Sequence, residues 1–224
     1  MQDGLDLINA LATHPNTARR LARRLWSYFV SETEAAPRSF VDAAAQVYLQ
    51  NDTEIRPLVR FILRSPWFID PANYYARYAW PVEFVVRAVK EMGWTGYSID
   101  NARAPLANMG QTLFEPPDVA GWSTGDAWFS TGAMLARMNY AASLALNQKF
   151  NLGRAARAHS ESPEQLLEYF LDRMSPAAFD GEPFRDLLDY LRAGGSWSGS
   201  EAQLNVKASG LARLIAGSAE YQLV

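Results

Sequence analysis

The sequence predicts an all-α protein, an irregular bundle of about eight to ten helices with one long central loop. Three observations support this fold class. Apolar residues recur every three to four positions in one segment after another. Serine, proline and glycine stand where such segments begin and end. No stretch alternates apolar and polar residues between hairpin turns, as a half-buried strand would.

The clearest predicted helix covers residues 15–30. Pro15 suits the first helical position, where its missing N–H costs nothing. Apolar residues share one face of this helix. The opposite face carries four arginines, Arg19, Arg20, Arg23 and Arg24. This arginine face is interpreted as solvated or paired with acidic neighbours, and the alternative is an anion or partner site.

Proline and glycine predict where several helices begin or end. Pro66 ends one helix, because it disfavours helical geometry in the preceding Ser65. Pro81 opens a helix that Gly93 closes. Pro105 is expected to delay the start of the helix before the central loop.

Hydroxyl side chains place helix starts in the second half. Thr131 is predicted to cap the helix after the loop. Ser162 with Gln165, and Ser200 with Gln203, match the capping box, in which serine and glutamine satisfy free N–H groups reciprocally. Together these signals predict helices over residues 4–13, 15–30, 39–50, 54–64, 81–92, 101–114, 131–148, 163–174, 183–193 and 201–216.

Residues 58–68 resemble residues 211–221. Leucine, arginine, isoleucine and serine coincide, and an aromatic residue closes each segment. Each is interpreted as a helix that ends in a serine turn, with the aromatic packed back onto the core. A duplicated helical half and convergence on one way of ending a helix both explain the likeness, although no fixed-period repeat is present.

The predicted domain organisation is a main helical domain over residues 1–150, which contains the 110–130 loop, and a smaller C-terminal lobe over 151–224. The only linker-like stretches are short, so the lobe is expected to pack on the main domain as one unit.

Composition excludes several function classes. The 224 residues include no cysteine and only two histidines, so a disulfide framework, a thiolate metal site and a cysteine nucleophile are excluded, and no metal or cofactor is expected. The net charge of −3 gives no footprint for nucleic acid. No apolar run reaches the roughly 18 residues that a membrane span needs, and no signal peptide is visible.

Residues 110–130 form the most unusual segment, because a loop of this length inside a compact domain is often functional. Its candidate catalytic carboxylates are Glu115, Asp118 and Asp126, and its candidate stacking residues are Trp122 and Trp128. Carboxylates beside indoles suit a sugar site, where the carboxyls act as acid and base. The alternative is a structural role, in which proline and tryptophan fix the loop across helix ends and the aspartates cap those helix ends.

Further candidates surround the loop. Gln111 lies at its start, and Arg137 and Asn139 lie at the edges of the apolar stripe of the following helix, from which they could reach back to the loop carboxylates. His14 is more typical of a helix cap than of a catalytic base, and Glu83 suits the positive end of a helix dipole. The candidate binding residues are His14, Arg19, Arg23, Gln111, Trp122, Trp128, Arg137 and Asn139.

Six segments carry a further pattern, in order along the chain: His14–Val30, Leu63–Phe68, Pro81–Val86, Gly110–Trp122, Leu135–Asn139 and Ser218–Gln222. Together they resemble the C-terminal half of the pattern of the bacterial domain of unknown function 1800 family. The resemblance assigns no reaction and no catalytic residue. It implies a periplasmic or secreted protein whose role depends on a protein partner resembling exported sulfatase or phosphatase relatives.

The sequence supports two hypotheses for the function of the protein. The preferred one is a non-catalytic binding or scaffold module that engages a protein or polymer through the 110–130 loop and the arginine helix, because tryptophan and arginine are enriched at interface hot spots. The alternative is a glycan-acting hydrolase, or half of one, in which the loop carboxylates work as acid and base while the tryptophans hold the sugar. Whether the protein is an enzyme stays open.

Overall fold

The computed structural model describes residues 2–147, 151–174, 176 and 178–224. It is 67% helical, and within these residues it has 11 α-helices and no strands, which confirms the predicted all-α class. None of the described helices is both long enough and apolar enough to cross a membrane. The chain forms two compact units, one running to Arg77 and the other from Tyr78 to Val224.

The first unit contains α1 (Gln2–Ala12), α2 (Pro15–Phe29), α3 (Arg38–Gln50) and α4 (Ile55–Leu63). Its core lies where α2, α3 and α4 pack together. The Trp26 ring meets Phe40 edge-on at 4.7 Å between centroids. The Trp26 indole N–H donates to the Glu34 carbonyl at 2.8 Å, so this aromatic core also holds the loop after α2.

The second unit contains α5 (Pro81–Met92), α6 (Asp100–Asn108), α7 (Thr131–Ala145), α8 (Leu152–Ala155), α9 (Pro163–Met174), α10 (Gly181–Arg192) and α11 (Glu201–Ala216). Helix α11 is central, because it packs on α7, α8, α9 and α10. Its buried residues are Leu204, Ala208, Leu211, Ala212, Ile215 and Ala216. Helix α11 therefore contributes a large share of the apolar surface that this unit buries.

Several predicted helix ends are confirmed. Gly93 closes α5 in the left-handed conformation, with φ at +89°. Ser200 accepts from the backbone N–H of Gln203 at 3.4 Å, as the capping box predicts. The glutamine half of the box differs, because the Gln203 side chain accepts from the N–H groups of Ser198 and Gly199 instead. The side-chain oxygen of Gln203 therefore accepts from the turn before α11 and not from the backbone N–H of the cap residue Ser200.

Other boundaries differ from the sequence prediction. Helix α6 is not delayed by Pro105, which is its sixth residue, where the missing N–H removes a single helical hydrogen bond. Ser130, rather than Thr131, caps α7 by accepting from the N–H of Ala133 at 3.2 Å. Gln148, where that helix was predicted to end, lies outside the described residues.

Helix α8 was missed, since its four residues are too few to show a helical period. It packs on α11 within the second unit, and α11 also packs on α7. Residue 150, near which the sequence prediction divides the chain, lies inside the second of the two compact units.

Close packing of α8 on α11 gives a testable prediction for Gly153. A Cβ at this position would lie 2.9 Å from the backbone nitrogen of Asn205 and 3.0 Å from the carbonyl carbon of Leu204. Gly153→Ala is expected to lower the free energy of unfolding by about 1–3 kcal/mol through overpacking, measured by chemical denaturation. In the control Gly132→Ala the nearest neighbour lies at 4.0 Å, so the prediction is contradicted if both variants retain wild-type stability.

Candidate functional site

The 110–130 loop begins at a buried glutamine. Gln111 is 3% exposed, and its backbone N–H donates to the Leu106 carbonyl at 2.9 Å, which closes α6. Its side-chain oxygen accepts from the N–H of Val82 at 2.9 Å, in the first turn of α5. A helix start leaves four N–H groups without helical partners, and Gln111 supplies an acceptor for one of them. Its amide therefore connects the base of the loop to α5.

Glu83 satisfies a second N–H group at the start of α5. Its carboxylate accepts from the backbone N–H of Trp80 at 2.8 Å. This confirms the predicted place of Glu83 at the positive end of the helix.

The far end of the loop is held by aromatic packing. Trp128 is 5% exposed, and its ring lies 5.6 Å from the rings of both Trp80 and Trp122. Phe129 stacks on Tyr78 at 4.2 Å between centroids, with the planes 8° apart. The buried Trp128 indole nitrogen has no hydrogen-bond partner in the described part of the chain. Both ends of the loop are thus anchored to the segment around the start of α5.

Between these anchors lies the loop tip, which we define as residues 114–119 and which exposes two apolar side chains beside the carboxylates of Glu115 and Asp118. Phe114 is 95% exposed, and Val119 is fully exposed. Phe114 has a φ of +65°, a left-handed conformation that side-chain-bearing residues rarely adopt. Such strain persists only where the surrounding structure imposes it. The loop tip therefore exposes two apolar side chains, one of them on a backbone with a strained conformation.

The predicted carboxylates lie on the exposed face of the loop. Glu115, Asp118 and Asp126 are all exposed. The Asp118 side chain accepts from the N–H of Ala120 at 2.7 Å, which is the geometry of a local turn. This contact forms a turn inside the loop, and it is not the helix cap that the structural interpretation expected of the loop aspartates.

A cleft of about 410 Å³ lies at the base of the loop. Trp122 and Trp128 contribute to its walls, together with Pro117, Met109 and Ala133. None of the three candidate carboxylates lines this cleft. The tryptophans and the carboxylates are therefore not brought together there, as an acid–base site on a bound sugar would require.

Arg137 does not reach the loop carboxylates, contrary to the sequence prediction. It is fully buried, where its guanidinium donates to the Ala79 carbonyl at 2.7 Å and to the side-chain oxygen of Gln222 at 3.2 Å. The guanidinium also lies over the Phe84 ring, 5.1 Å from its centroid. Burial lowers the pKa of Arg137 to about 10, and the nearby Glu83 carboxylate opposes that decrease.

Gln222 is the residue that sequence reasoning missed. It is fully buried, and its side-chain nitrogen donates to the carbonyls of Ala216 and Ser218. Its backbone carbonyl accepts from the N–H of Ala79 at 2.7 Å. The only signal was its place in the last of the family-like segments, since nothing local shows that it contacts Arg137. By contrast, Asn139 is exposed on α7.

The remaining candidates belong to the first unit. The His14 ring nitrogen Nδ1 accepts from the N–H of Asn16 at 3.1 Å, so His14 caps α2 as predicted. Arg19 pairs with Asp42 at 3.2 Å between Nε and Oδ1. Arg23 is exposed on the same helix. The arginine face of α2 is therefore partly engaged with an acidic neighbour, which is the first of the two interpretations given above.

The fold and this loop define a class of protein: an all-helical chain with an anchored apolar loop and, among the described residues, no group of three or more side chains that could hold a metal ion. The chain belongs to the family described as protein of unknown function, DUF1800, whose model matches residues 1–223. The family resemblance is therefore confirmed. No curated protein and no solved structure matches the chain.

Proposed function

We propose that this protein is a non-catalytic binding module that engages a partner protein through the loop tip. The observation that carries the proposal is the exposure of Phe114 and Val119 on a loop whose two ends are buried. Burying an aromatic or aliphatic side chain gains about 1.5–3 kcal/mol. Leaving two of them in water therefore forgoes stability that a partner would recover on binding.

The restricted backbone of the loop gives the binding proposal further support. Pro116 and Pro117 restrict the backbone of the tip, and Gln111 and Trp128 hold its ends. A pre-organised segment loses little conformational entropy when it binds, so more of the contact energy appears as affinity.

The glycan-acting hydrolase has less support. Its acid and base would be Glu115, Asp118 or Asp126, which do not line the cleft that Trp122 and Trp128 help to form. The proposal therefore rests on apolar contact rather than on acid–base chemistry.

Replacing the apolar side chains of the tip tests the proposal. Phe114→Ser with Val119→Ser is expected to reduce partner recovery about tenfold or more, since two apolar anchors worth several kcal/mol are lost. The measurement is quantitative mass spectrometry of proteins retained from an extract of the source organism, with photo-crosslinking from position 114 to identify the direct contact.

The matched control places the same change elsewhere in the second unit. Val206 and Leu214 are exposed on α11, and Val206→Ser with Leu214→Ser should retain the partners of the wild type. Equal recovery by the tip variant and the control variant contradicts the proposal. Self-association that the tip variant abolishes would assign the surface to a second copy of the chain instead.

A further inference from the structure

Helix α4 of the first unit and Arg64, the residue that caps its C-terminal end, carry a row of arginines whose positive charge no acidic side chain among the described residues neutralises. Arg56, Arg60 and Arg64 are four residues apart and exposed, which we call the arginine row. In the part of the chain that the structure describes, their side chains make no hydrogen bond and no ion pair within 4 Å. A rise of 1.5 Å per residue places their attachment points about 6 Å apart along the helix.

Apolar surface flanks the arginine row on both sides. A cavity of about 550 Å³ has walls from the row together with Pro57, Phe61 and Trp67. A second cavity of about 480 Å³ has walls from the row together with Val59 and Leu63. The row is thus a cationic ridge between two apolar grooves.

The acidic residues closest in sequence do not neutralise the ridge. Asp52 and Glu54 precede the first residue of α4, and neither forms an ion pair with the row. Elsewhere on the surface arginines do find carboxylates, as Arg192 does with Glu164 at 2.6 Å. The charge of the row is therefore available to an acidic ligand.

We propose that the arginine row docks an acidic amphipathic helix of a partner protein. A helix with carboxylates at every fourth position repeats them about every 6 Å, the same spacing as the row. Its side chains on either flank of that carboxylate stripe can be apolar and fill the two grooves. Arginine pairs with carboxylates through two parallel hydrogen bonds, which adds geometric specificity to the attraction.

Other acidic ligands fit the surface less well. An extended strand carries alternate side chains about 6.6–6.8 Å apart, but the intervening ones point away from the row and leave the grooves empty. A nucleic acid or a sulfated polysaccharide supplies anions without two flanking rows of apolar side chains. The spacing and the grooves together therefore favour a helix. This inference is independent of the loop tip, which lies in the other unit.

The test uses two designed helical peptides of about six turns, longer than the roughly 12–15 residues below which an isolated helix is marginal in water. One places glutamate at every fourth position with leucine on both flanks, and the other has the same composition with the glutamates distributed around the helix. Binding to the intact protein is measured by fluorescence anisotropy. Arg56→Gln with Arg60→Gln and Arg64→Gln is expected to weaken binding of the first peptide about tenfold or more.

The matched control removes the same charge from α2. Arg20, Arg23 and Arg24 are exposed there, and their replacement by glutamine should change the affinity by no more than about twofold. Circular dichroism verifies that both variants fold.

The proposal is overturned if the first peptide does not bind, if the permuted peptide binds equally well, or if both triple variants lose the same affinity. Heparin and RNA provide the last comparison. If either binds through the row while the two peptides are not distinguished, the row is a polyanion site and not a helix-docking site.

Discussion

Arg137→Ala is expected to lower the free energy of unfolding of the second unit by about 3–5 kcal/mol. The substitution removes a fully buried side chain that donates to the Ala79 carbonyl and to the side chain of Gln222. Both acceptors are then left buried without this donor, and each such loss costs about 1–3 kcal/mol. A cavity over the Phe84 ring adds to the cost.

Arg137→Met separates the cost of the cavity from the cost of the lost hydrogen bonds. Methionine restores most of the volume but none of the donors, so its expected loss is smaller, about 1–3 kcal/mol. The same comparison addresses the buried charge, because burying a guanidinium is itself costly and an apolar side chain avoids that cost.

The measurement is chemical denaturation followed by circular dichroism, with hydrogen exchange reporting on α7 and on the segment around Gln222. Arg103 is exposed on α6, and Arg103→Ala, the control, should change stability by no more than about 0.5 kcal/mol. A loss below about 1 kcal/mol for Arg137→Ala would show that these contacts do not hold the C-terminal segment against α5.

The case of Arg137 shows where sequence reasoning stops. Helical periodicity placed it correctly on α7 but at the edge of an apolar stripe, whereas it lies on the buried face of this helix with Ala133 and Ala141. Its partners lie 58 and 85 residues away, at Ala79 and Gln222, and no local pattern connects such positions. An arginine at a stripe edge can face water or the interior, and only the tertiary packing decides between them.

Local hydrogen bonding, in contrast, was predictable. The two similar segments were interpreted as helices ending in serine turns, and the Ser65 and Ser218 hydroxyls donate to the carbonyls of Ile62 and Ile215 at 2.7 and 2.8 Å. These contacts span three residues, so the sequence contains all the information they need. The closing aromatic Tyr221 is fully buried, as predicted, but its counterpart Phe68 is 36% exposed, so the prediction for that segment is wrong.

The 110–130 loop also combines a feature that local sequence predicts with one that depends on distant residues. Turn-forming residues placed it correctly at 110–130, but the sequence favoured Trp122 and Trp128 as its exposed binding residues. Trp128 is 5% exposed, and Phe114 is 95% exposed. Which aromatic residue packs inward depends on Trp80, which precedes the first residue of the loop by 30 positions and contacts the Trp128 ring.

Trp128→Ala is expected to lower the free energy of unfolding by about 3–5 kcal/mol, because a large buried ring between Trp80 and Trp122 is removed. Trp128→Phe should cost only about 1–2 kcal/mol, since phenylalanine keeps a ring there. The indole nitrogen has no hydrogen-bond partner among the described residues, so no hydrogen bond is lost. Chemical denaturation measures both losses, and equal losses would contradict the prediction that packing of the ring carries this stability.

The same variant distinguishes the support of the loop from its contact surface. Trp128→Ala should accelerate hydrogen exchange across residues 110–130 and weaken partner binding, because the base of the loop is no longer held. Phe114→Ser should weaken binding while leaving exchange and stability unchanged, because this side chain is 95% exposed. If Trp128→Ala loosens the loop but leaves binding intact, the partner does not need a pre-organised tip. The binding energy would then come from the apolar side chains alone.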